Sequence, residues 1–311
     1  MAALVAPRST ALHDAAYKKS TMIKYKSAVR TFVAWCEDNG ESAGTVDELD
    51  ELLNEFTHHL YENDGKKSTA GNAFYGTLRL LLGAKSRSHF PLTRLALRGW
   101  SKLQPPRSWS PLTWDLTCLI AVQFARAGRL DLAIAVLLSF DCLLRISELI
   151  GLQTDDVSDP SVTQMALRLR KTKTGLNKYA KLRKTETKVL LRLWLKRRAS
   201  GKLFDFSAQQ FRRAFRGVCQ GIGLDDSYVP HSCRHGGATE LFEETQDLQL
   251  VMIYGRWAVE SSARAYIQDG RALLIAKKIA AVTSKAARVF RCDLLRALAS
   301  AVALSGGRLG S

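Results

Sequence analysis

Three prolines within eight residues, in Gln104-Pro-Pro-Arg-Ser-Trp-Ser-Pro111, divide this chain of 311 residues. Proline fixes φ, lacks an N–H and drives the preceding residue out of the helical region. The segment therefore reads as an extended linker between two separately folded stretches. At roughly 150 residues per domain, the length suits two domains.

Upstream of the break the pattern is helical. Met22, Tyr25, Val29, Phe32 and Cys36 recur at steps of three and four, with Gly40 as a stop. Thr45 with Glu48 three residues on reads as a capping box before Leu49, Leu52, Leu53, Phe56 and Leu60. Further helices are expected from Ser68 and over Arg94–Lys102, making a small bundle. Downstream, helices are expected near 114–127 and 130–144. The texture then changes. Thr163–Arg170 alternates apolar and polar, Thr174-Gly175-Leu176-Asn177 reads as a turn, and Lys178–Leu182 as the return strand. Helices resume near 186–198, 208–220, 232–243 and 248–255. The expected fold class is mostly α with one small β-hairpin or sheet (α+β). Its division is 1–13 an arm, 14–103 a helical domain, 104–110 the linker, 111–283 a second domain, and 284–311 a C-terminal helix and tail. In that last helix Ala287, Phe290, Leu294, Leu298 and Ala301 share an apolar face, to be covered by the chain's own domain or by a neighbouring protomer.

Charge narrows the partner. The net charge is +17, and the part up to Leu103 holds only +3 of it. Between Arg168 and Arg198 there are 13 basic residues and one acid, Glu186. Such a field attracts polyanions, nucleic acid first; a solvated basic face or an anionic membrane surface is the alternative. Arg168, Arg170, Lys171, Lys178, Arg212 and Arg213 are the candidate phosphate contacts. No apolar run reaches the ~18 residues of a membrane span, and no secretory leader is visible. The six scattered cysteines form no C-x-x-C pair and stand beside no histidine cluster, so reduced thiols inside the cell are expected and neither metal nor cofactor is.

Four short patterns follow one another in the second domain. They are Arg145-Ile-Ser-Glu-Leu-Ile-Gly-Leu152, Lys171-Thr-Lys-Thr-Gly175, Pro230-His-Ser-Cys-Arg-His235, and Gly255-Arg-Trp257 with Tyr266 nine residues further on. Arginine from two distant segments suits the charge of a phosphorane, because its planar fork stays charged and bonds two oxygens. His231 and Arg234 share a helix face at spacing three. One unbroken helix would put Trp257 and Tyr266 on opposite faces; for them to share a site the helix must break between them, and Glu260-Ser261-Ser262 can cap a new helix that carries Tyr266.

In this order the patterns resemble the tyrosine recombinase (phage-integrase-type) family, over Pro111 to about Gln268. The resemblance implies Tyr266 as nucleophile, Arg145 and Arg234 as phosphate ligands, Lys173 as acid to the leaving 5′ oxygen, His231 as proton acceptor and Trp257 as a hydrogen-bond donor. Glu148 is the expected orienter of Arg145 or of His235. The family often has Leu-Gly-His where this chain has Tyr254-Gly255-Arg256-Trp257. The fold implied is a helical core-binding domain and a catalytic domain forming a C-shaped clamp on double-stranded DNA. The chain would be monomeric or dimeric off DNA and tetrameric on paired sites. The implied activity is site-specific strand exchange through a 3′-phosphotyrosyl link, without metal or ATP. A type IB topoisomerase-like relaxing enzyme and a non-cleaving DNA-binding protein on the same scaffold are the alternatives.

Overall fold

The computed structural model describes residues 17–80, 90–105, 109–159, 161, 164–172, 175–198, 200–268 and 279–305. The chain separates into two compact units, Met1–Arg107 and Ser108–Ser311. The expected arm, 1–13, lies outside the described residues.

The first unit holds α1 (Lys19–Asp38), α2 (Val46–Glu62), α3 (Lys67–Leu80) and α4 (Pro91–Leu103). Phe32, Leu53, Phe56, Phe74 and Phe90 fill its core. Helix α2 starts on a true capping box: the Glu48 N–H donates to Thr45 Oγ1, and the Thr45 N–H to Glu48 Oε2. Helix α4 has no cap of its own. The buried Asp50 of α2 instead accepts from the Leu92 and Thr93 N–H groups, both at 2.9 Å. One helix thus satisfies the free donors of another and locks their crossing.

The second unit is built on α5 (Trp114–Arg126) and α6 (Leu130–Asp141), both buried nearly all round. After α6 come α7 (Ile146–Leu149) and three strands, β1 (Val157–Ser158), β2 (Ala166–Thr172) and β3 (Gly175–Lys181), in an antiparallel sheet of order β1-β2-β3. Helices α8 (Thr185–Leu195), α9 (Ala208–Gly221), α10 (Pro230–Thr245), α11 (Leu248–Gly255), α12 (Glu260–Arg264), α13 (Ala281–Cys292) and α14 (Leu294–Ser305) complete it. Among the described residues no helix is long and apolar enough to cross a membrane.

Three expectations need correction. Gly175, Leu176 and Asn177, expected in the hairpin turn, belong to β3, whose pairing with β2 reaches Thr172 and Gly175. Asn177, whose φ of 48° gives it turn character, sits inside β3, and pairing continues at Lys178. The C-terminal helix is two helices, broken at Asp293, where ψ is 42°. Its apolar stripe packs within its own unit, with Ala287, Leu294 and Leu298 buried in the main core beside α5. The basic run is also less open than its composition implies. Arg168 and Arg170 are paired with Asp155 and Asp156, Arg183 and Lys184 with Glu240 and Glu244, Arg192 with Asp159, and Arg198 with Asp205. Folding sets acids beside these charges, so Arg168 and Arg170, each 40% exposed, are already paired with Asp155 and Asp156.

Helix α10 carries the histidine–arginine motif and packs closely against α6 and the segment before α5 through two glycines. A methyl group on Gly236 would stand 1.7 Å from the Leu112 carbonyl oxygen, and one on Gly237 2.2 Å from that of Phe140. Backbone cannot yield as a flexible side chain can. Gly237→Ala is therefore expected to cost about 1–3 kcal/mol or more, the scale of overpacking, read as a lowered thermal midpoint; an unchanged midpoint would show that α10 can move freely off α6.

Candidate active site

Arg145 stands at the N-terminus of α7, where the chain leaves the core. Glu148 reaches back to it twice: the Arg145 N–H donates to Oε2 at 2.9 Å and its Nη1 to Oε1 at 2.7 Å. The Glu148 side chain is wholly buried, while that of Arg145 is 17% exposed. Arg145 is thus aimed outward from a buried carboxylate. The bonds of Glu148 seen among the described residues go to Arg145 and Arg256.

Pro230 occupies the first turn of α10, whose start is closed by Ser232 Oγ accepting from the Val229 N–H. One helical turn then presents His231, Arg234 and His235. Arg234 is fully buried. It donates Nη1 to the Leu143 carbonyl and Nη2 to that of Gly255, and its Nε–H has no partner among the described residues.

Helix α11 ends at Gly255, over which the Trp257 ring folds so closely that a methyl group there would overlap it. The expected helix starts at Glu260 but ends at Arg264, so Tyr266 lies not on it, as the sequence predicted, but in the turn that follows. The short α12 and this turn reverse the chain and bring Tyr266 back under Trp257, their ring centres 4.7 Å apart. The His235 ring stacks on Tyr266 at 4.4 Å and 19°, and His235 in turn meets the Gln268 amide at 3.2 Å. The Arg234 guanidinium lies 4.4 Å from the Trp257 ring centre and 5.3 Å from that of Tyr266. Thr239 donates to the Tyr266 carbonyl and accepts from the Gln268 N–H. The Tyr266 hydroxyl ends 3.0 Å from His231 Nε2.

So Arg145, Glu148, His231, Arg234, His235, Trp257 and Tyr266 meet in one place. Lys173 lies outside the described residues. Lys171 and Lys178 are exposed on the hairpin and Arg212 and Arg213 on α9, away from acidic partners among the described residues. The residue that sequence reading missed is Arg256. Its guanidinium is buried and donates to Glu148 Oε2 at 3.1 Å. The available signal was its place at the end of an apolar helix, where a charged side chain must find a buried partner.

Charge is unbalanced here. Arg145, Arg234 and Arg256 converge, and Glu148 is the acid of the described residues that pairs with any of them. Burial, together with Arg145 and Arg256, pushes Arg234 down to about 9. Burial raises the Glu148 carboxyl, but Arg256 and the two bonds from Arg145 outweigh this and hold it below the usual range. Burial, then His235, Arg234 and Arg145, push His231 down to about 4. A pocket with surplus buried cations is stabilised by an incoming anion. A neutral imidazole beside a phenol is equipped to take its proton.

The Phage integrase family matches residues 119–271. The tyrosine recombinases XerC of Brucella suis biovar 1 (strain 1330) and Brucella melitensis biotype 1 are each 28% identical over 264 residues, spanning 75% of this chain and 78% of theirs. Among solved structures, the Tn1549 transposon integrase in complex with circular intermediate DNA superposes with a TM-score of 0.59 at 16% identity, over 83% of this chain and 92% of that one. A lambda integrase dimer bound to a COC′ core site gives 0.54 at 18% identity, over 83% and 74%. The mostly helical fold with its small sheet is shared with these structures.

The lowered pKa of His231 has a sign. The unfolded chain binds more protons between about 4 and the ordinary value of 6.5, so this group makes stability rise with pH across that window and adds nothing further above it. The acid limb of kcat/KM for strand cleavage, which reports the free enzyme, is expected near pH 4–5. A limb at 6.5 or above would remove His231 as the proton acceptor.

Proposed function

As the chain belongs to the phage integrase family of tyrosine recombinases, enzymes that cut and rejoin DNA strands, we propose that it is a site-specific recombinase whose nucleophile is Tyr266. The observation that carries this reading is the Tyr266 hydroxyl on a neutral histidine, beside buried guanidiniums that outnumber their carboxylate.

Tyr266 Oη attacks the phosphorus of a DNA strand and gives its proton to His231 Nε2. The bond to the 5′ oxygen breaks as the phosphotyrosyl bond forms, leaving a 3′-phosphotyrosyl link. The departing oxygen takes a proton from Lys173 and becomes a 5′-hydroxyl. Arg145, through the guanidinium nitrogens not engaged by Glu148, and Arg234 hold the non-bridging oxygens as charge grows on them. The Trp257 indole N–H adds a bond but no base. A 5′-hydroxyl from a second strand reverses the steps and joins new partners. The covalent link conserves the energy of the broken bond, so ATP is not consumed.

The partner is duplex DNA, met in the cell and bound in part through Lys171, Lys178, Arg212 and Arg213. Exchange between two sites calls for a tetramer on paired DNA, formed from monomers or dimers. A tail exchanged between protomers would have to leave the face of α5 that it covers in the single chain.

The test is a pool of nicked duplexes of random sequence, with recovery of covalent adducts on denaturing gels. Tyr266→Phe is expected to bind DNA and form no adduct; an adduct with this variant would mean another nucleophile. Arg145→Ala should slow adduct formation by about 10²-fold or more, the scale for losing one transition-state donor, with a much smaller loss of binding. Equal losses in both would make Arg145 part of the docking surface alone. Joined products with a new partner strand, rather than relaxed circles only, separate a recombinase from a relaxing enzyme.

Because several lysines and arginines of the basic run are already paired, phosphate contact falls on fewer groups. With about six neutralised phosphates, affinity should still drop roughly 10³-fold between 50 and 200 mM salt. Filter binding across that range measures the slope, and a flat response would exclude an electrostatic interface.

A further inference from the structure

We infer that Arg256 is a positioning residue for strand cleavage: it steadies Glu148 behind Arg145 and shares the Leu143 carbonyl with Arg234, so that one buried guanidinium sets both phosphate-binding arginines. The inference rests on the reading of Arg145 and Arg234 given above and adds to it a residue outside the reacting groups.

The backbone is the first observation. Arg256 adopts φ 57° and ψ 42°, left-handed values that a residue with a side chain takes at a cost and glycine takes freely. An arginine persists at such a position only where its side chain earns its place. That side chain is 4% exposed. Its Nη1 donates to the carbonyls of Cys142 at 3.1 Å and Tyr254 at 2.8 Å. Its Nη2 donates to Leu143 at 2.8 Å and to Glu148 Oε2 at 3.1 Å.

The acceptors are the second observation. Cys142 and Leu143 form the link between α6 and Arg145, and Leu143 is itself left-handed, with φ 49°. Its carbonyl receives both Arg256 and Arg234. Tyr254 belongs to α11, just ahead of Trp257. Arg256 therefore staples the loop before Arg145 to the helix end before Trp257, the two chain segments that have to stay in register with Tyr266.

The third is electrostatic. Glu148 is shared between Arg145 and Arg256. Without Arg256, the buried carboxylate would face Arg145 alone. It would hold that guanidinium more tightly in the ground state and offset more of the charge meant for the phosphate. Cleavage would suffer more than binding, since binding draws on surface cations elsewhere.

Arg256→Gly suits the test because glycine accepts the left-handed backbone. Arg256→Lys keeps the charge but not the fork, and serves if the glycine variant does not give a cooperative melt. The substrate is the duplex recovered from the random pool with the unsubstituted protein. Arg256→Gly is expected to bind this duplex within about threefold of the unsubstituted protein but to form adduct about 10–100-fold more slowly, the range for losing a group that orients a ligand. The lysine variant should fall between them. Guanidinium ion below denaturing concentration should recover part of the lost rate, against sodium chloride at equal ionic strength. The loss should largely vanish in a Glu148→Gln background, since the two act as a unit. Adduct formation at the unsubstituted rate by Arg256→Gly, a loss that adds in full to that of Glu148→Gln, or parallel losses of binding and rate would each overturn the inference. If the unsubstituted protein forms no adduct with any duplex, the reading of Tyr266 fails first and this inference falls with it.

Discussion

A buried carboxylate, Glu148, anchors the catalytic unit. Two arginines approach it, Arg145 from three residues before it and Arg256 from 108 residues after it. Unpaired in that interior, the carboxylate would be too costly to keep charged. Its presence therefore obliges Arg145 and Arg256 to come to it. Arg256 brings the end of α11 with it, and Trp257 and Tyr266 follow along the chain. One acid thus gathers a site whose members are spread over more than a hundred residues.

The arrangement leaves the cluster short of negative charge. Burial is the first cause of the lowered pKa values of Arg234 and His231, and the neighbouring uncompensated charges add to it. Together they keep His231 unprotonated near neutrality, and the surplus charge makes the pocket receptive to a phosphodiester. Burial and surplus positive charge thus act together on both groups.

Close backbone approach does the remaining work. The pair Gly236-Gly237 lets α10 rest on the carbonyls of Leu112 and Phe140, and Gly255 lets the Trp257 ring lie over the chain. Each contact fixes a side chain of the site by removing space in which its element could shift. The first unit uses a different device, the Asp50 carboxylate capping α4, to set its own helix crossings.

Much of the helical framework was legible in the amino-acid order alone, because helical periodicity and capping are local. Thr45 with Glu48, and the apolar steps of α1 and α2, specify their elements without reference to the rest of the chain. The motif order around Arg145, His231, Arg234, Trp257 and Tyr266 was legible for a similar reason: each motif is short and is read from neighbouring residues. What tertiary structure decided were matters of pairing between distant residues. Whether Arg168 and Arg170 carry acidic partners depends on Asp155 and Asp156, which only the sheet brings beside them. Whether the C-terminal stripe needs a cover depends on α5. Whether Arg256 is a surface charge or a buried strut depends on Glu148, 108 positions earlier. No local signal encodes such partners, because the free energy that selects them comes from desolvation on folding, which exists only once the chain is packed.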